Sequence, residues 1–252
     1  MIRFIDEKGI IAPHRSVPSE NIGHARTALT TFSTHLFEEL VKQTAAVPCG
    51  IMRGGVDKEM YLGDIGGEKV VVYLCNIGAP AAAAVTEEVF ACGVQRVIAF
   101  GICGALVDVP HQSVIVPDRA FRDEGTSYHY APAADFVRVK NSQTVEASLA
   151  ASGINTVKGG TWTTDGFYRE TRTRMEEMKA AGCVAVDMEC SALQACADFR
   201  GKEFYTFFIT ADSLAGETWQ PNDILDLKAT DATTVAVAAA VRLARDLNAR
   251  VE

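Results

Sequence analysis

Val186-Asp187-Met188-Glu189-Cys190-Ser191-Ala192 marks the point where an apolar strand is expected to give way to a helix. The residues that lead into it, Cys183–Val186, are apolar, and Ala192–Ala197 repeats apolar side chains at helical spacing. Two carboxylates flank a methionine in a segment otherwise suited to burial, and an unpaired carboxylate is costly to bury. Asp187 and Glu189 are therefore expected either to cap the helix or to face a ligand at the strand end.

The rest of the chain alternates between predicted strands and helices. The predicted strands are Arg26–Phe32, Met60–Ile65, Lys69–Leu74, Val94–Phe100, Ser113–Pro117, Val157–Thr163, Gly182–Val186 and Phe204–Thr210. The predicted helices are His35–Gln43, Ala81–Cys92, Val145–Ser152, Arg169–Ala180 and Ala229–Leu247. This alternation predicts an α/β fold in which helices flank a mostly parallel central sheet, as a single domain over residues 1–252.

Composition excludes several classes of protein. Hydrophobic residues make up 48% of the 252 residues and charged residues 22%, which allows a substantial core. The net charge of −8 argues against a nucleic-acid partner. The N-terminus lacks the apolar core of a signal peptide, and no segment approaches transmembrane length, so no membrane partner is expected. Seven cysteines without metal-type pairing predict reduced thiols, no bound metal and a cytoplasmic location.

Residues that follow the strands are candidate site residues, because ligands collect at the carboxyl ends of strands in such sheets. Gly101–Gly104 is expected to form a glycine turn whose N–H groups approach an anion. Gly78 opens an alanine-rich helix, and Asp212 ends a strand of aromatic residues. Each feature also has an ordinary explanation: a loop turn, a helix start with Pro80 in its first turn, and a cap.

These segments together resemble the nucleoside phosphorylase family of the purine nucleoside and uridine phosphorylase type, from about Val70 to the C-terminus. In the family, a ribose-binding E-M-E motif corresponds to Asp187-Met188-Glu189, with Asp in place of the first Glu. The other segments that carry the resemblance are the glycine turn at Gly78, the phosphate turn Gly101–Gly104, the uridine-type segment Arg122–Tyr130, the aromatic-bearing loop Thr164–Tyr168, and Ala211-Asp212 followed by Gly216-Glu217.

The resemblance implies that inorganic phosphate cleaves the N-glycosidic bond of a nucleoside to give a free base and a pentose 1-phosphate, with no cofactor. Glu189 would accept hydrogen bonds from two sugar hydroxyls, with Asp187 and Met188 in the same ribose site. Phe167 would stack on the base, with Tyr168 beside it.

Asp212 would protonate the imidazole ring of a departing purine, which requires a raised pKa. Glu189 and Asp212 are therefore the predicted catalytic residues.

The phosphate site departs from the family pattern. Ala99 stands where family members usually carry Arg, Ile102 stands where they carry Ser or Thr, and their N-terminal phosphate loop is missing. Arg53 resembles the arginine that family members lend across a dimer interface, which implies a homodimer or a hexamer built as a trimer of dimers. The predicted phosphate-binding residues are Gly101, Ile102, Cys103, Arg53 and Ser33.

Two alternatives to phosphorolysis stay open. In a nucleoside hydrolase, water would replace the phosphate whose ligands are missing. Hydrolases of this superfamily place a glutamate at the end of the first strand, however, and Thr31–Thr34 offers no acid. The second alternative is a catalytically idle nucleoside-binding protein, which the altered phosphate turn favours and the retention of Glu189 and Asp212 disfavours.

The base and sugar are not settled by sequence. Asp212 favours a purine, whereas Arg122–Tyr130 resembles the uridine enzymes, and ribose and deoxyribose are not distinguished. Uridine enzymes read uracil with a Gln and an Arg, whose positions here hold Thr171 and Thr173. Three nearby arginines are interpreted as a solvated helix face: Arg169, Arg172 and Arg174.

Overall fold

A computed structural model describes residues 2–15, 17–54, 56–222 and 231–249. The strands in these ranges are β1 Thr27–Thr31, β2 Val47–Met52, β3 Lys58–Ile65, β4 Glu68–Leu74, β5 Arg96–Ala105, β6 Val114–Asp123, β7 Phe136–Arg138, β8 Thr156–Thr164, β9 Cys183–Asp187 and β10 Glu203–Ser213. The α-helices are α1 Thr34–Gln43, α2 Ala79–Ala91, α3 Ser142–Ala151, α4 Arg172–Ala180, α5 Cys190–Phe199 and α6 Asp231–Asn248. None of the described helices has the length and apolar character needed to cross a bilayer.

All the described strands belong to one mixed sheet, in the order β10-β6-β8-β9-β5-β1-β4-β3-β2, with β7 beside β6. Because β10 also pairs with β5, the strands β5, β10, β6, β8 and β9 close into a ring, and the remaining strands extend from β5 as an open arm. The longest ladders, β5–β10 and β6–β8, are parallel, and β1 is parallel to both of its neighbours. The predicted α/β class is confirmed, and the antiparallel pairings lie mainly in β2–β4, at β7 and between β5 and β9.

Strand β5 is buried on both faces, as its continuous apolar sequence predicts. Val97 and Ala99 belong to one core, which α2 and α5 cover, while Ile98 and Phe100 belong to a second core, which α6 covers. Helices therefore flank both faces of the sheet. The edge of the sheet where β5, β9 and β10 end is called the rim below.

The structure differs from the sequence prediction at several elements. The glycine turn predicted after Phe100 is wrong, because β5 continues as a strand to Ala105. Strand β2, which contains Pro48 and Gly50, and the three-residue β7 were not predicted, since neither shows an alternating pattern. Helix α4 begins at Arg172, after a short 3-10 helix at Phe167–Arg169. The predicted start of the last helix, Ala229, lies outside the described residues.

Candidate active site

Gly104 is the point where three strands meet. It pairs with Asp212 of β10 in the parallel direction and with Val186 of β9 in the antiparallel direction. A Cβ atom built on Gly104 would lie 2.8 Å from Val186 Cγ1 and 3.2 Å from Asp212 Oδ1, so only glycine allows this approach without displacement. The meeting brings the carboxyl ends of β5, β9 and β10 to one rim, and with them the predicted acids.

Asp187 has the geometry of a helix cap. Its Oδ2 accepts hydrogen bonds from the backbone N–H groups of Glu189 and Cys190, at 2.8 Å and 2.6 Å. Its Oδ1 accepts from the hydroxyls of Thr161 and Thr163, both at 2.9 Å. Burial raises the pKa of Asp187, and these four donors oppose that shift. The carboxylate therefore holds the start of α5, and a direct sugar contact by Asp187 stays a prediction.

The Glu189 carboxylate accepts hydrogen bonds from the backbone of Gly78 and of Met188. Its Oε1 accepts the backbone N–H of Gly78 at 2.6 Å, which joins the start of α5 to the start of α2. Gly78 has φ +95°, a conformation that favours glycine. Burial, with the charge of Asp187 second, raises the pKa of Glu189 to about 8. A buried carboxylate of this kind gains from donors that a bound sugar supplies.

The uridine-type segment is a structural support. The buried Arg122 guanidinium donates to Ser127 Oγ at 2.8 Å and to carbonyl groups between Ala131 and Ala134. Glu124 accepts the backbone N–H of Ser127 and the hydroxyl of Ser191 in α5, both at 2.9 Å. These polar groups satisfy one another, so they brace α5 from behind the rim.

Asp212 lies at the end of β10, buried to 7% exposure. Its Oδ2 accepts a hydrogen bond from the indole Nε1–H of Trp219 at 2.7 Å. Burial raises the pKa of Asp212, and the Trp219 donor partly opposes that shift. The raised pKa has the direction that a general acid needs.

Glu170 is a second acid at the same place, and sequence reasoning missed it. Burial raises its pKa to about 7, with the charge of Asp212 as the next cause. Its backbone N–H bonds to the Phe167 carbonyl, so the turn of the short 3-10 helix sets its position. Its place three residues after the predicted stacking aromatic was the only available signal.

The predicted base-binding aromatics are both accessible. Phe167 is 49% exposed and Tyr168 is 88% exposed, and their ring centroids lie 3.9 Å apart. Met188 is half-buried beside the two acids of β9 and α5. Large exposed aromatics beside buried carboxylates are typical of a ligand site.

The model of the phosphorylase superfamily matches residues 26–247. This chain belongs to that superfamily. The relatives it resembles include two proteins named purine nucleoside phosphorylase DeoD-type. The one from Oceanobacillus iheyensis is 29% identical over 163 residues, which cover 61% of this chain and 68% of the relative. The one from Bacillus cereus is 28% identical over 159 residues, with 61% and 68% coverage. An uncharacterized protein of Acanthamoeba polyphaga mimivirus is 26% identical over 171 residues, with 66% and 67% coverage.

The region that corresponds to the superfamily's phosphate turn is apolar. A Cβ atom on Gly101 would lie 3.1 Å from the ring of Phe32, so this ring at the end of β1 packs on the Gly101 backbone. Ala99 is buried in the core, and Ile102 pairs with Ile209 within the sheet. Burial raises the pKa of the Cys103 thiol well above its usual range, so the thiol is neutral.

Arg53 lies beside α2. The backbone N–H of Arg53 donates to Glu88 of α2 at 2.7 Å, and its side chain is exposed. Glu88 lies ten residues beyond Gly78, which is about 15 Å along a helix. Ser33, by contrast, directly follows Phe32 and is buried at the start of α1.

The three arginines after Phe167 do not form one solvated face. Arg172 donates to the carbonyls of Leu214 at 3.2 Å and Glu217 at 2.8 Å, which ties α4 to the loop after β10. Arg174 pairs with Asp123 at 3.1 Å. Arg169 and Arg172 are exposed, as predicted for a solvated face, whereas Arg174 is half-buried. The contacts of Arg172 and Arg174 join segments far apart in sequence.

Proposed function

We propose that this chain cleaves the N-glycosidic bond of purine nucleosides, with phosphate as the nucleophile. The observation that supports the proposal is the meeting of β5, β9 and β10 at Gly104, with Asp212 at the end of β10 and Glu189 two residues after β9. The exposed rings of Phe167 and Tyr168 support it further. The two relatives named purine nucleoside phosphorylase support the choice of purine over uridine.

Glu189 is assigned to the sugar. Cleavage of the glycosidic bond builds positive charge on the ribose ring, and a carboxylate that accepts the sugar hydroxyls stabilises that charge. The backbone of Gly78 and of Met188 holds the carboxylate in place, and its remaining lone pairs are assigned to the substrate hydroxyls. Sugar hydroxyls then stabilise the ionised form of an acid whose pKa burial has raised.

Asp212 is assigned to the leaving base. The electron pair of the C–N bond moves onto the base as the bond breaks, and a proton from Asp212 to the imidazole nitrogen neutralises it. A phosphate oxygen forms the new bond to the same sugar carbon, which gives the pentose 1-phosphate. The exposed ring of Phe167 would hold the base by stacking.

Hydrolysis is the second candidate, and one observation favours it. The Phe32 ring packs on the backbone of Gly101, where the superfamily pattern places phosphate donors. Ile102 adds a further apolar side chain. Water needs fewer donors than a phosphate dianion and would tolerate this surface better.

A nucleoside panel incubated with and without phosphate distinguishes these outcomes. Phosphorolysis predicts ribose 1-phosphate or deoxyribose 1-phosphate from purine nucleosides and no turnover without phosphate. Free sugar at the same rate in both reactions would select hydrolysis. Recovery of intact nucleoside in every reaction, together with measurable nucleoside binding, would select an idle binding protein. Chromatography of the sugar product separates the three results.

We also propose a homo-oligomer built from dimers, in which Arg53 reaches the site of a second copy. Arg53 is exposed, and its backbone N–H bonds to Glu88, about 15 Å along α2 from Gly78, so we assign its side chain to the site of a second copy. Light scattering is expected to give a dimer or a multiple of it. Arg53→Ala should raise the KM for phosphate while Arg15→Ala, at another exposed arginine, leaves it unchanged. A fully active monomer would contradict the proposal.

A further inference from the structure

The two oxygens of Asp212 are chemically different. Oδ2 accepts the indole N–H of Trp219 at 2.7 Å, whereas Oδ1 lies on the side of Gly104. An indole nitrogen is a donor only, and a carbonyl-type oxygen accepts it better than a protonated oxygen does. When Asp212 is neutral, the indole therefore favours a proton on Oδ1.

Trp219 is held in place by two other elements. Backbone hydrogen bonds between Ser213 and Gln220, both 2.9 Å, close the loop that carries it. Arg172 donates to two carbonyls of the same loop, Leu214 and Glu217, and so fixes it to the start of α4. The contact between Trp219 and Asp212 is therefore part of a braced loop, although the indole ring itself is 53% exposed.

Few ionisable groups face Asp212. Glu170, from the turn before α4, is close enough for the charge of Asp212 to raise its pKa. Cys103 of β5 is also close, but burial keeps its thiol neutral. No ion pair to Asp212 is present among the described residues. Two donors oppose burial at this carboxylate, the Trp219 N–H first and the backbone N–H of Asp212 itself second.

We propose that Trp219 is a positioning residue that keeps the proton of Asp212 on Oδ1, the oxygen that the indole does not contact, and that this oxygen delivers the proton to the leaving base. This inference rests on the proposed function. It makes the indole N–H a determinant of acid catalysis while the indole ring stays outside the bond-breaking step.

Trp219→Phe tests this role, because it keeps an aromatic ring and removes the N–H. With a natural purine nucleoside, kcat is expected to fall about tenfold. This is less than the loss expected when general-acid catalysis is removed altogether, because Asp212 itself is still present. With an N7-methylated purine nucleoside, whose base leaves without a proton, kcat should stay within about twofold. An equal loss on both substrates would overturn the proposal and make Trp219 a wall of the base site.

A second measurement does not depend on catalysis. The fluorescence of Trp219, taken as the difference between the natural protein and Trp219→Phe, should titrate with pH as Asp212 gains its proton. Asp212→Asn should abolish this titration, and Glu170→Gln, at the neighbouring acid, should retain it. If Asp212→Asn leaves the titration unchanged, the contact is not made and the inference fails. If the titration behaves as expected but no nucleoside is cleaved, the proposed function fails while the contact stands.

Discussion

Glu189→Gln is expected to lower kcat by about 10²–10³-fold, the usual cost of removing one preorganised electrostatic group. The amide oxygen can still accept the Gly78 N–H, so the junction between α2 and α5 should survive. What is lost is the negative charge that opposes the developing charge on the sugar. Steady-state kinetics with the best nucleoside, beside a thermal melt, measures both effects.

Glu87→Gln is the matched control for this change. Glu87 is a buried carboxylate of α2 that pairs with Arg200 at 2.6 Å and 2.8 Å, away from the site. Glu87→Gln should lower the Tm, because it leaves the Arg200 charge without its partner. It should leave kcat within about twofold, because this pair has no part in the proposed chemistry. If Glu189→Gln instead lowers the Tm with unaltered activity, Glu189 is a structural cap.

Asp212→Asn is expected to cost about 10²–10⁴-fold with purine nucleosides, the range of general-acid catalysis. The amide can keep the Trp219 contact through its oxygen and can hydrogen-bond to the base, but it has no acidic proton to deliver. A pyrimidine nucleoside, whose base leaves through its carbonyl oxygens, should lose much less. The ratio of the two losses is the decisive quantity.

Glu170→Gln tests whether the neighbouring acid supplies the proton instead. Burial and the charge of Asp212 raise the pKa of Glu170 to about 7, which suits a general acid at neutral pH as well. Assignment to Asp212 predicts that Glu170→Gln costs less than Asp212→Asn with purines. A larger loss of kcat for Glu170→Gln would identify Glu170 as the general acid. Equal losses of Asp212→Asn on purines and pyrimidines would mean that Asp212 only organises the pocket.

Most of the fold could be predicted because its signals are local. An apolar run such as Val94–Phe100, or an alanine-rich periodic stretch such as Ala81–Cys92, specifies its element with little help from the rest of the chain. Glu189 and Asp212 could be singled out for the same reason, since each lies within two residues of the end of its strand. Both side chains are buried with raised pKa values, and their catalytic roles stay predictions.

Two kinds of feature were misinterpreted or missed: a glycine inside a strand, and interactions between segments that are far apart in sequence. Glycine at 101 and 104 was interpreted as a turn, but Gly104 lacks a side chain so that two other strands can approach it. Trp219 and Glu170 were not recognised because their contacts with Asp212 depend on how two separate loops close over β10. Arg172 joins those loops through backbone carbonyls, which carry no sequence signal at all.

Gly104 also bears on how a site of this kind can diversify. Because any side chain there would meet Val186 and the Asp212 carboxylate, the spacing of β9 and β10 around β5 requires glycine at this position. The loops at 166–171 and 213–220, which carry Phe167 and Trp219, are free of that constraint. Under the proposed function, substitution of the exposed Phe167 can alter which base is accepted, while the strand junction at Gly104 stays as it is.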